Sequence, residues 1–392
     1  MEVDSLYRRI IVTLFIIFVG TLASFQAYSW AISLDIQPSQ GVSPAKVPET
    51  ETITLTAAGD CLMHMPQVNS GLQADGSYRF DTFFADVADL IREGDYSSTS
   101  LETALAGPES SYTGYPMFNS PDEIANTFKQ AGFDMVITAN NHSLDRSYSG
   151  GIRTLKVLRT AGLDTLGTYL NPGEASTFLI KEIRGVKVGY LAYTYGTNGI
   201  PIPSEHPEYV NILDKEKVLS DIEKLRPQVD ALILVLHWGV EYQPRPTQDQ
   251  VSMARAFLAA GADAILGSHP HVIQTMEIIN VKGKNKFVIY GMGNFISNQQ
   301  ELERKCGIVL KLRFKKDFDT DETRLIEASY TPTFSHPYQA NGRIHYRVIP
   351  LSKTIEKIKQ GQEPFMDNSD LPLLEAALRS TLTQLGPGYQ DQ

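Results

Sequence analysis

From residue 52 onward, the sequence alternates between buried-strand patterns and amphipathic-helix patterns, and this order constrains the fold more than any other feature. The apolar runs that predict buried strands are 52–58, 135–139, 231–236, 264–267 and 287–291. The segments with apolar residues at helical spacing are 82–92, 121–132, 151–162, 248–261 and 371–385. Segments between residues 307 and 350 are typical of antiparallel strands. This order predicts an α/β protein with a mixed sheet or two packed sheets.

Three short motifs predict local structure. The segments from Ser120 to Glu123 and from Thr247 to Gln250 both have the capping-box pattern, in which the first and fourth residues satisfy the free N–H groups of a helix start. Pro121 suits the first helical position. The segment 183–186, with Arg-Gly at its centre, predicts a hairpin turn.

The N-terminal 50 residues differ from the rest. Arg8 and Arg9 precede an uncharged stretch over 10–34, whose apolar part of about 23 residues is long enough to cross a bilayer. Because no Lys or Arg follows before Lys46, the positive-inside rule places residues 1–9 in the cytoplasm and the folded part outside, in the periplasm or the extracellular space. An uncleaved transmembrane signal anchor over 10–34 and a cleaved signal peptide both remain open. Residues 35–50, with three prolines, predict a linker.

Charge and cysteine content narrow the class of protein. The chain has 35 Lys and Arg against 45 Asp and Glu, and its formal net charge of −10 argues against general nucleic-acid binding. The two cysteines, Cys61 and Cys306, are too few for a disulfide framework or a paired-cysteine zinc site. A single disulfide and two buried thiols both remain open.

Residue types that bind metals do not scatter but follow the predicted strands. They are Asp60, Glu102, Asn141, His142, His237, His269 and His271. Singly, each has an ordinary structural explanation, such as a turn residue or a core histidine. Together they predict a metal site, because the binding sites of open α/β folds lie outside the carboxyl ends of the strands. Such a mixed oxygen and nitrogen set favours Mn, Fe or Zn over Ca or Mg, and the one-residue spacing of His269 and His271 suits two neighbouring ions.

Six segments, in this order, resemble the bacterial CapA family of poly-γ-glutamate capsule synthesis proteins, within the calcineurin-like metallophosphoesterase superfamily. The segments are GDCLM (59–63), LETALAG (101–107), ANNHSLD (139–145), HWGVEY (237–242), AGADAILGSHPHVIQ (260–274) and YGMGNFISNQ (290–299). The resemblance covers about residues 52–300. It implies a four-layer sandwich of two mixed sheets flanked by helices, with a metallophosphoesterase-like domain over 51–350 and a helical tail over 351–392.

The resemblance also implies two possible functions. The first function is an exported, membrane-anchored role in the synthesis or export of a capsule or other exopolymer of the poly-γ-glutamate type. The alternative is a metal-dependent phosphoesterase or other hydrolase outside the cytoplasm. The implied partners are the cell membrane, membrane subunits of a polymer synthetase or exporter, and an anionic polymer or phosphate-ester substrate.

Each site residue takes a role from the same resemblance. Asp60 and His271 would bind the first of two divalent ions, and Glu102 would bridge the two. Asn141, His237 and His269 would bind the second ion, and His142 would act beside the leaving group as the catalytic residue. One departure is Leu62, which stands where the phosphoesterase pattern has a histidine. The further candidates are His64 as an additional ligand, and Arg245 and Asn294 for substrate binding.

Overall fold

Two mixed β-sheets form the centre of the protein over residues 49–386, the part of the chain that this computed structural model describes. The predicted cytoplasmic segment 1–9, the signal anchor or signal peptide over 10–34, and nearly all of the predicted linker lie outside the described residues, as do residues 387–392. Within 49–386, no helix is both long enough and apolar enough to cross a membrane.

Strands β1 to β14 follow one another along the chain. Their bounds are Thr50–Cys61, Tyr96–Leu101, Met135–Ile137, Asp164–Leu166, Leu179–Ile183, Val186–Thr194, Ala231–His237, Ala264–Ser268, Met276–Val281, Lys284–Ile289, Asn294–Ile296, Cys306–Asp317, Glu322–Ala340 and Arg343–Pro350. The first sheet has the order β14-β13-β12-β1-β2-β3-β4, with β11 also paired to β1, and the second has the order β5-β6-β7-β8-β10-β9. Strands β1 to β4 are mutually parallel, as are β6, β7, β8 and β10.

Helices lie in the connections and after the last strand. The α-helices α1 to α9 are Met65–Gly71, Ala88–Arg92, Glu123–Ala131, Ser147–Thr160, Pro172–Ala175, Lys215–Leu225, Gln248–Ala260, Leu351–Lys359 and Leu371–Leu385. Short 3₁₀ helices span Pro108–Ser110, Arg226–Gln228 and Leu302–Lys305. Helices α8 and α9 occupy the predicted C-terminal tail, and their apolar residues Ile355 and Leu374 belong to the same core cluster as the strands.

Strand β7 shows how the layers are built. Its side chains alternate between the two faces of the sheet, as the period of a strand requires. Ile233 and Val235 lie in the core between the sheets, whereas Leu232, Leu234 and Leu236 lie in the core under the helices. A strand that is apolar on both faces must be covered on both faces, which explains its unbroken apolar sequence.

Helices cover the outer face of each sheet. Val218 of α6 and Phe257 of α7 pack on the second sheet. Ile124 of α3 and Leu158 of α4 pack on the first. The layers therefore run helix, sheet, sheet, helix, and the predicted α/β fold with two mixed sheets flanked by helices is confirmed. All five predicted buried strands are present, with bounds that differ by a few residues.

One predicted helix is mostly absent. The segment 82–92 is helical only over Ala88–Arg92, and turns precede it. The aromatic residues that produced the helical pattern are buried in an aromatic cluster instead. Phe84 stacks on Phe128 and Phe295 with ring centroids 5.6 and 5.2 Å apart. The prediction of a full helix was wrong because these rings find partners in other parts of the chain.

The predicted capping boxes have different outcomes. At α7, the Thr247 hydroxyl accepts from the Gln250 N–H at 3.2 Å, and the Gln250 side chain accepts from the Thr247 N–H at 2.9 Å, so this box is confirmed. The box at Ser120 is wrong: α3 begins at Glu123, and the Ser120 hydroxyl is hydrogen-bonded to the Thr103 hydroxyl at 2.8 Å. The Ser120 hydroxyl therefore bonds to a residue distant in sequence, and not to the start of the following helix.

Two further local predictions are settled by the structure. The hairpin at 183–186 is confirmed, with Arg184 and Gly185 both at positive φ between the antiparallel strands β5 and β6. Cys61 and Cys306 are both free and buried, so the disulfide alternative is wrong. Each thiol has a partner elsewhere, the Thr99 hydroxyl for Cys61 and the Leu302 carbonyl for Cys306.

The carboxyl end of β1 leaves no room for a side chain at Gly59. A Cβ there would lie 2.0 Å from the backbone oxygen of Gly293. That oxygen also accepts from the Asp60 N–H at 3.0 Å, so moving it away from a new side chain would break this hydrogen bond. We expect Gly59→Ala to lower the free energy of unfolding by about 3 kcal/mol. The control is Gly196→Ala, because a Cβ at Gly196 meets nothing within 4 Å. Equal urea midpoints for the two variants would refute this account of β1.

Candidate metal centre

The carboxyl ends of five strands, three from the first sheet and two from the second, bring the predicted metal ligands together. Asp60 lies near the end of β1, Glu102 follows β2, and His237 is the last residue of β7. The remaining members, from the turns after β3 and β8, are Asn141, His269 and His271. All six side chains are buried, with at most 3% exposed surface. The structure thus brings together the whole set that the sequence predicted.

Glu102 lies at the middle of the cluster. One of its carboxylate oxygens is 3.7 Å from Nδ1 of His237, and the other is 3.8 Å from Nε2 of His271. Nδ1 of His271 is also 3.7 Å from a carboxylate oxygen of Asp60. Asp60, Glu102 and His237 each offer a ligand atom, and these atoms lie within 4.8 Å of one another. A central carboxylate with imidazoles on both sides suits the bridging position that the resemblance implies.

Several polar atoms of this cluster are buried without a hydrogen-bond partner. They are Oδ1 of Asp60, both carboxylate oxygens of Glu102 and Nδ1 of His269. Leaving such atoms unsatisfied destabilises a fold by about 1–3 kcal/mol each, and more when the group is charged. A divalent cation would satisfy all of them, since each is a lone-pair donor. The residues present therefore fit the divalent ions that the resemblance implies.

Burial shifts the protonation of the cluster. It raises the pKa of Asp60 to about 7, and it raises the pKa of Glu102 well above its usual value, with the charge of Asp60 adding to the effect. Burial also lowers the pKa of His269 to about 4 and that of His271 to about 3, and it lowers the pKa of His237 strongly. Neutral imidazoles are ready to bind metal, whereas the two carboxyl groups keep protons that a cation must displace.

Neighbouring side chains fix the orientation of two imidazoles. The Ser268 hydroxyl lies 3.0 Å from Nδ1 of His237, whose Nε2 lies 2.8 Å from the Asn141 amide oxygen. The Asn294 amide oxygen lies 3.0 Å from Nδ1 of His271. Contacts of this kind hold the tautomer and the ring angle of metal-binding histidines.

We expect Ser268→Ala to weaken divalent-metal binding by about tenfold to a hundredfold, because His237 loses the group that holds its ring. Competition with a chelating dye measures the change. The matched control is Ser70→Ala, which removes a buried hydroxyl that donates to the Gln67 carbonyl in α1. If both variants bind metal as the wild type does, the Ser268 contact has no part in positioning His237.

His142 faces away from its neighbour Asn141. Its Nδ1 lies 2.7 Å from a carboxylate oxygen of Asp145, and its ring packs edge-on against Phe118 with centroids 4.7 Å apart. The same Asp145 oxygen accepts from the Phe118 N–H at 2.7 Å, which fixes the carboxylate. Asn141 instead faces His237, so the two side chains diverge as expected. The Asp145 contact leaves Nε2 of His142 available for chemistry.

The three further candidates lie in different surroundings. Nδ1 of His64 accepts from the Asn298 N–H at 3.3 Å, and its ring packs edge-on against Phe118. Arg245 is exposed in the loop after β7. Asn294 is fully buried, and its amide N–H groups donate to side-chain and backbone oxygens of the following loop, which favours a role in positioning His271 over substrate contact.

One candidate ligand, Glu241 in the loop after His237, was not predicted from the sequence. Glu241 lies with His269 and His271, and the three offer ligand atoms within 4.8 Å of one another. The partly exposed rings of Tyr195 and Tyr242 lie beside the same histidines, with centroids 4.5 Å from His269 and 6.0 Å from His271. The available signal was the segment HWGVEY, which places a carboxylate four residues after a strand-end histidine.

Comparison with known proteins gives a family match that includes every residue of the candidate metal centre. Residues 54–299 match the family described as "Bacterial capsule synthesis protein PGA_cap". The capsule biosynthesis protein CapA of Bacillus anthracis is 28% identical over 275 residues, which are 67% of this chain and 64% of that protein. The PGA biosynthesis protein CapA of Bacillus subtilis is 25% identical over 259 residues, 64% of this chain and 67% of that protein. The match to the Bacillus anthracis protein thus spans just under two thirds of its length.

Among solved structures, a 5′-nucleotidase precursor from Thermus thermophilus aligns with a TM-score of 0.43 at 13% identity, covering 85% of this chain and 59% of that one.

Proposed function

Since the chain belongs to the bacterial capsule synthesis protein family, we propose that it is a metal-dependent component of capsule or exopolymer synthesis, of the poly-γ-glutamate type. Residues 10–34 would anchor it in the cell membrane, with the folded part outside the cytoplasm. Its partners would be the membrane subunits of a polymer synthetase or exporter, and its substrate an anionic polymer. Two Bacillus relatives carry names of capsule and PGA biosynthesis, which supports this reading.

The buried cluster around Glu102 supports the metal-dependent part of the proposal. A protein that only held other subunits together would have no physical reason to keep two buried carboxylates with unsatisfied oxygens. Replacing such a group with an apolar side chain of similar volume is often neutral or stabilising. The two buried carboxylates therefore support the proposal that this cluster binds a positively charged partner, and the surrounding imidazoles favour a transition metal ion.

We assign the first ion to Asp60 and His271, the second to Asn141, His237 and His269, and Glu102 to both. The ions are two in number and are Mn, Fe or Zn. When bound, divalent ions stabilise the negative charge that develops on an anionic substrate. His142 keeps one ring nitrogen against Asp145 and presents the other toward the substrate, where it would donate a proton to the leaving group.

A second candidate function is hydrolysis of a phosphate ester or another anionic bond outside the cytoplasm. The contact between His142 and Asp145 favours it, because a carboxylate that orients an imidazole is a common arrangement in proton transfer. The two functions are compatible if polymer synthesis includes a hydrolytic step. Release of phosphate from monoesters, or of an alcohol from diesters, by the purified protein loaded with Mn²⁺ would favour the hydrolase.

The proposed anchor gives a topology prediction. Arg8 and Arg9 precede the apolar stretch, and the next cation is Lys46, so the chain after residue 34 should cross to the outside. An alkaline phosphatase domain fused after residue 50 should therefore be active, and a cytoplasm-dependent fluorescent domain at the same point should be dark. The opposite pattern would end the export proposal. A mature N-terminus near residues 32–34 would select the cleaved form over the anchor.

Deletion of the gene in its own host tests the polymer role. We expect extracellular anionic polymer to be lost and to return with the wild-type gene but not with a Glu102→Gln gene. A capsule of normal amount and length in the deletion strain would contradict the proposal.

A further inference from the structure

The first metal position lacks a ligand. Leu62 occupies the place of the histidine in the phosphoesterase pattern, and it is an apolar side chain with 2% exposed surface. His64, the nearest histidine in sequence, is engaged by the Asn298 N–H and by Phe118. Asp60, Glu102 and His271 therefore remain, which is one ligand fewer than the phosphoesterase pattern implies for this position.

The loop after β7 brings a different side chain to this position. The Trp238 N–H donates to the Ser268 carbonyl at 3.1 Å, and the Tyr242 N–H donates to the Pro270 carbonyl at 2.7 Å. Gly239, at a φ of +93°, turns the chain between these two contacts. The loop is thus fastened at both ends to the segment that carries His269 and His271.

Glu241 lies within this fastened loop. Its carboxylate, His269 and His271 offer ligand atoms that lie within 4.8 Å of one another. His269 is 3% exposed, and its Nδ1 is one of the buried atoms without a hydrogen-bond partner. A half-buried carboxylate grouped with two buried imidazoles, His271 among them, is an arrangement that a bound cation would explain.

We infer that Glu241 is a metal ligand of this centre, and that it supplies a carboxylate oxygen to the ion held by His271 in place of the absent histidine. The inference rests on the proposed metal-dependent function. It also makes the two positions chemically different: the first has three carboxylates and one imidazole, and the second has one carboxylate, one amide and two imidazoles. Oxygen-rich positions favour Mn²⁺, whereas imidazole-rich positions suit Zn²⁺.

Metal titration of the full chain, purified in detergent and stripped with a chelator, tests this assignment. The probe is Mn²⁺ alone, followed by equilibrium dialysis with elemental analysis. Wild-type protein should bind two ions. In Glu241→Gln, one of the two should bind at least about tenfold more weakly, while the other keeps its affinity. Glu303→Gln is the matched control, because Glu303 is an exposed carboxylate outside the cluster, and it should bind as the wild type does.

Two outcomes would overturn the inference, and they are distinguishable. If wild-type protein binds two ions and Glu241→Gln binds them with unchanged affinities, Glu241 is not a ligand, and the proposed function stands. If wild-type protein binds neither Mn²⁺ nor Zn²⁺, the metal-dependent function fails, and the inference fails with it. An unchanged unfolding temperature of metal-free Glu241→Gln will show that lost binding is not lost folding.

Discussion

In the presence of a chelator, Glu102→Gln protein is expected to unfold at a higher temperature than wild-type protein, yet added Mn²⁺ should stabilise the variant less than it stabilises wild-type protein. Without a cation, the buried Glu102 carboxylate has no partner for either oxygen and lies near the carboxylate of Asp60. A neutral amide of the same shape cannot ionise, so it removes the cost of placing a buried charge beside Asp60, the cost that the raised pKa of Glu102 reflects. The same substitution removes the bridging ligand.

Mn²⁺ should reverse the order of the two proteins. At a free concentration one hundred times the dissociation constant, a bound ligand stabilises the folded state by about 2.7 kcal/mol per site. Wild-type protein should therefore overtake Glu102→Gln once metal is added. Scanning calorimetry with EDTA and with MnCl₂ measures both effects. A wild-type protein that is the more stable of the two under chelator would show that the carboxylate is satisfied without metal.

The pH dependence of the metal-free proteins provides an internal check. The pKa of Glu102 is raised in the folded state above its usual value of 4.5. A carboxyl group with a raised folded pKa leaves the fold unpenalised at low pH, and its destabilising effect grows as pH rises above the unfolded value. The stability difference between Glu102→Gln and wild type should accordingly vanish below pH 4.5 and be largest in alkaline buffer.

His142→Asn is expected to keep both metal ions and to lose activity. His142 bonds to Asp145 and not to the cluster around Glu102, so its removal should leave the metal content unchanged. Loss of a general acid lowers turnover by about 10²–10⁴-fold. His271→Ala should lose metal and activity together. Elemental analysis, ester hydrolysis and extracellular polymer in complemented cells are the three readouts.

The control for this pair is His345→Asn, which makes the same change at a half-buried histidine that stacks on Tyr338, outside the cluster. It should resemble wild type in every readout. If His142→Asn loses metal, His142 is a ligand and its proposed role is wrong. If it keeps metal and full polymer output, proton transfer by His142 is not needed, and a subunit without turnover becomes the better description.

The ligand cluster was largely predictable from sequence because its members share one local signature. Asp60, His237 and His269 each stand at or just after the end of an apolar strand, and parallel strands bring such ends to one edge. Strand β7 was also predictable from sequence, because the short apolar run over 231–236 is typical of a strand that is covered on both faces.

Features decided by distant contacts were not predictable in the same way. Ser120 has the sequence of a helix cap, but Thr103 lies beside it only in the folded protein. Phe84 has helical spacing, but Phe295 provides the better packing partner. The segment HWGVEY places Glu241 near a strand-end histidine, but only the folded loop, with the Tyr242 N–H bonded to the Pro270 carbonyl, brings its carboxylate to His269 and His271.

Anomalous diffraction from crystals of the protein grown with Mn²⁺ locates bound ions as well as counting them. We expect two anomalous peaks within the cluster of Asp60, Glu102, Asn141, His237, His269 and His271. Data from Glu102→Gln crystals should lack at least one of them. Wild-type crystals with no peak in this cluster, at the manganese edge or at the zinc edge after a Zn²⁺ soak, would show that the cluster does not bind these ions.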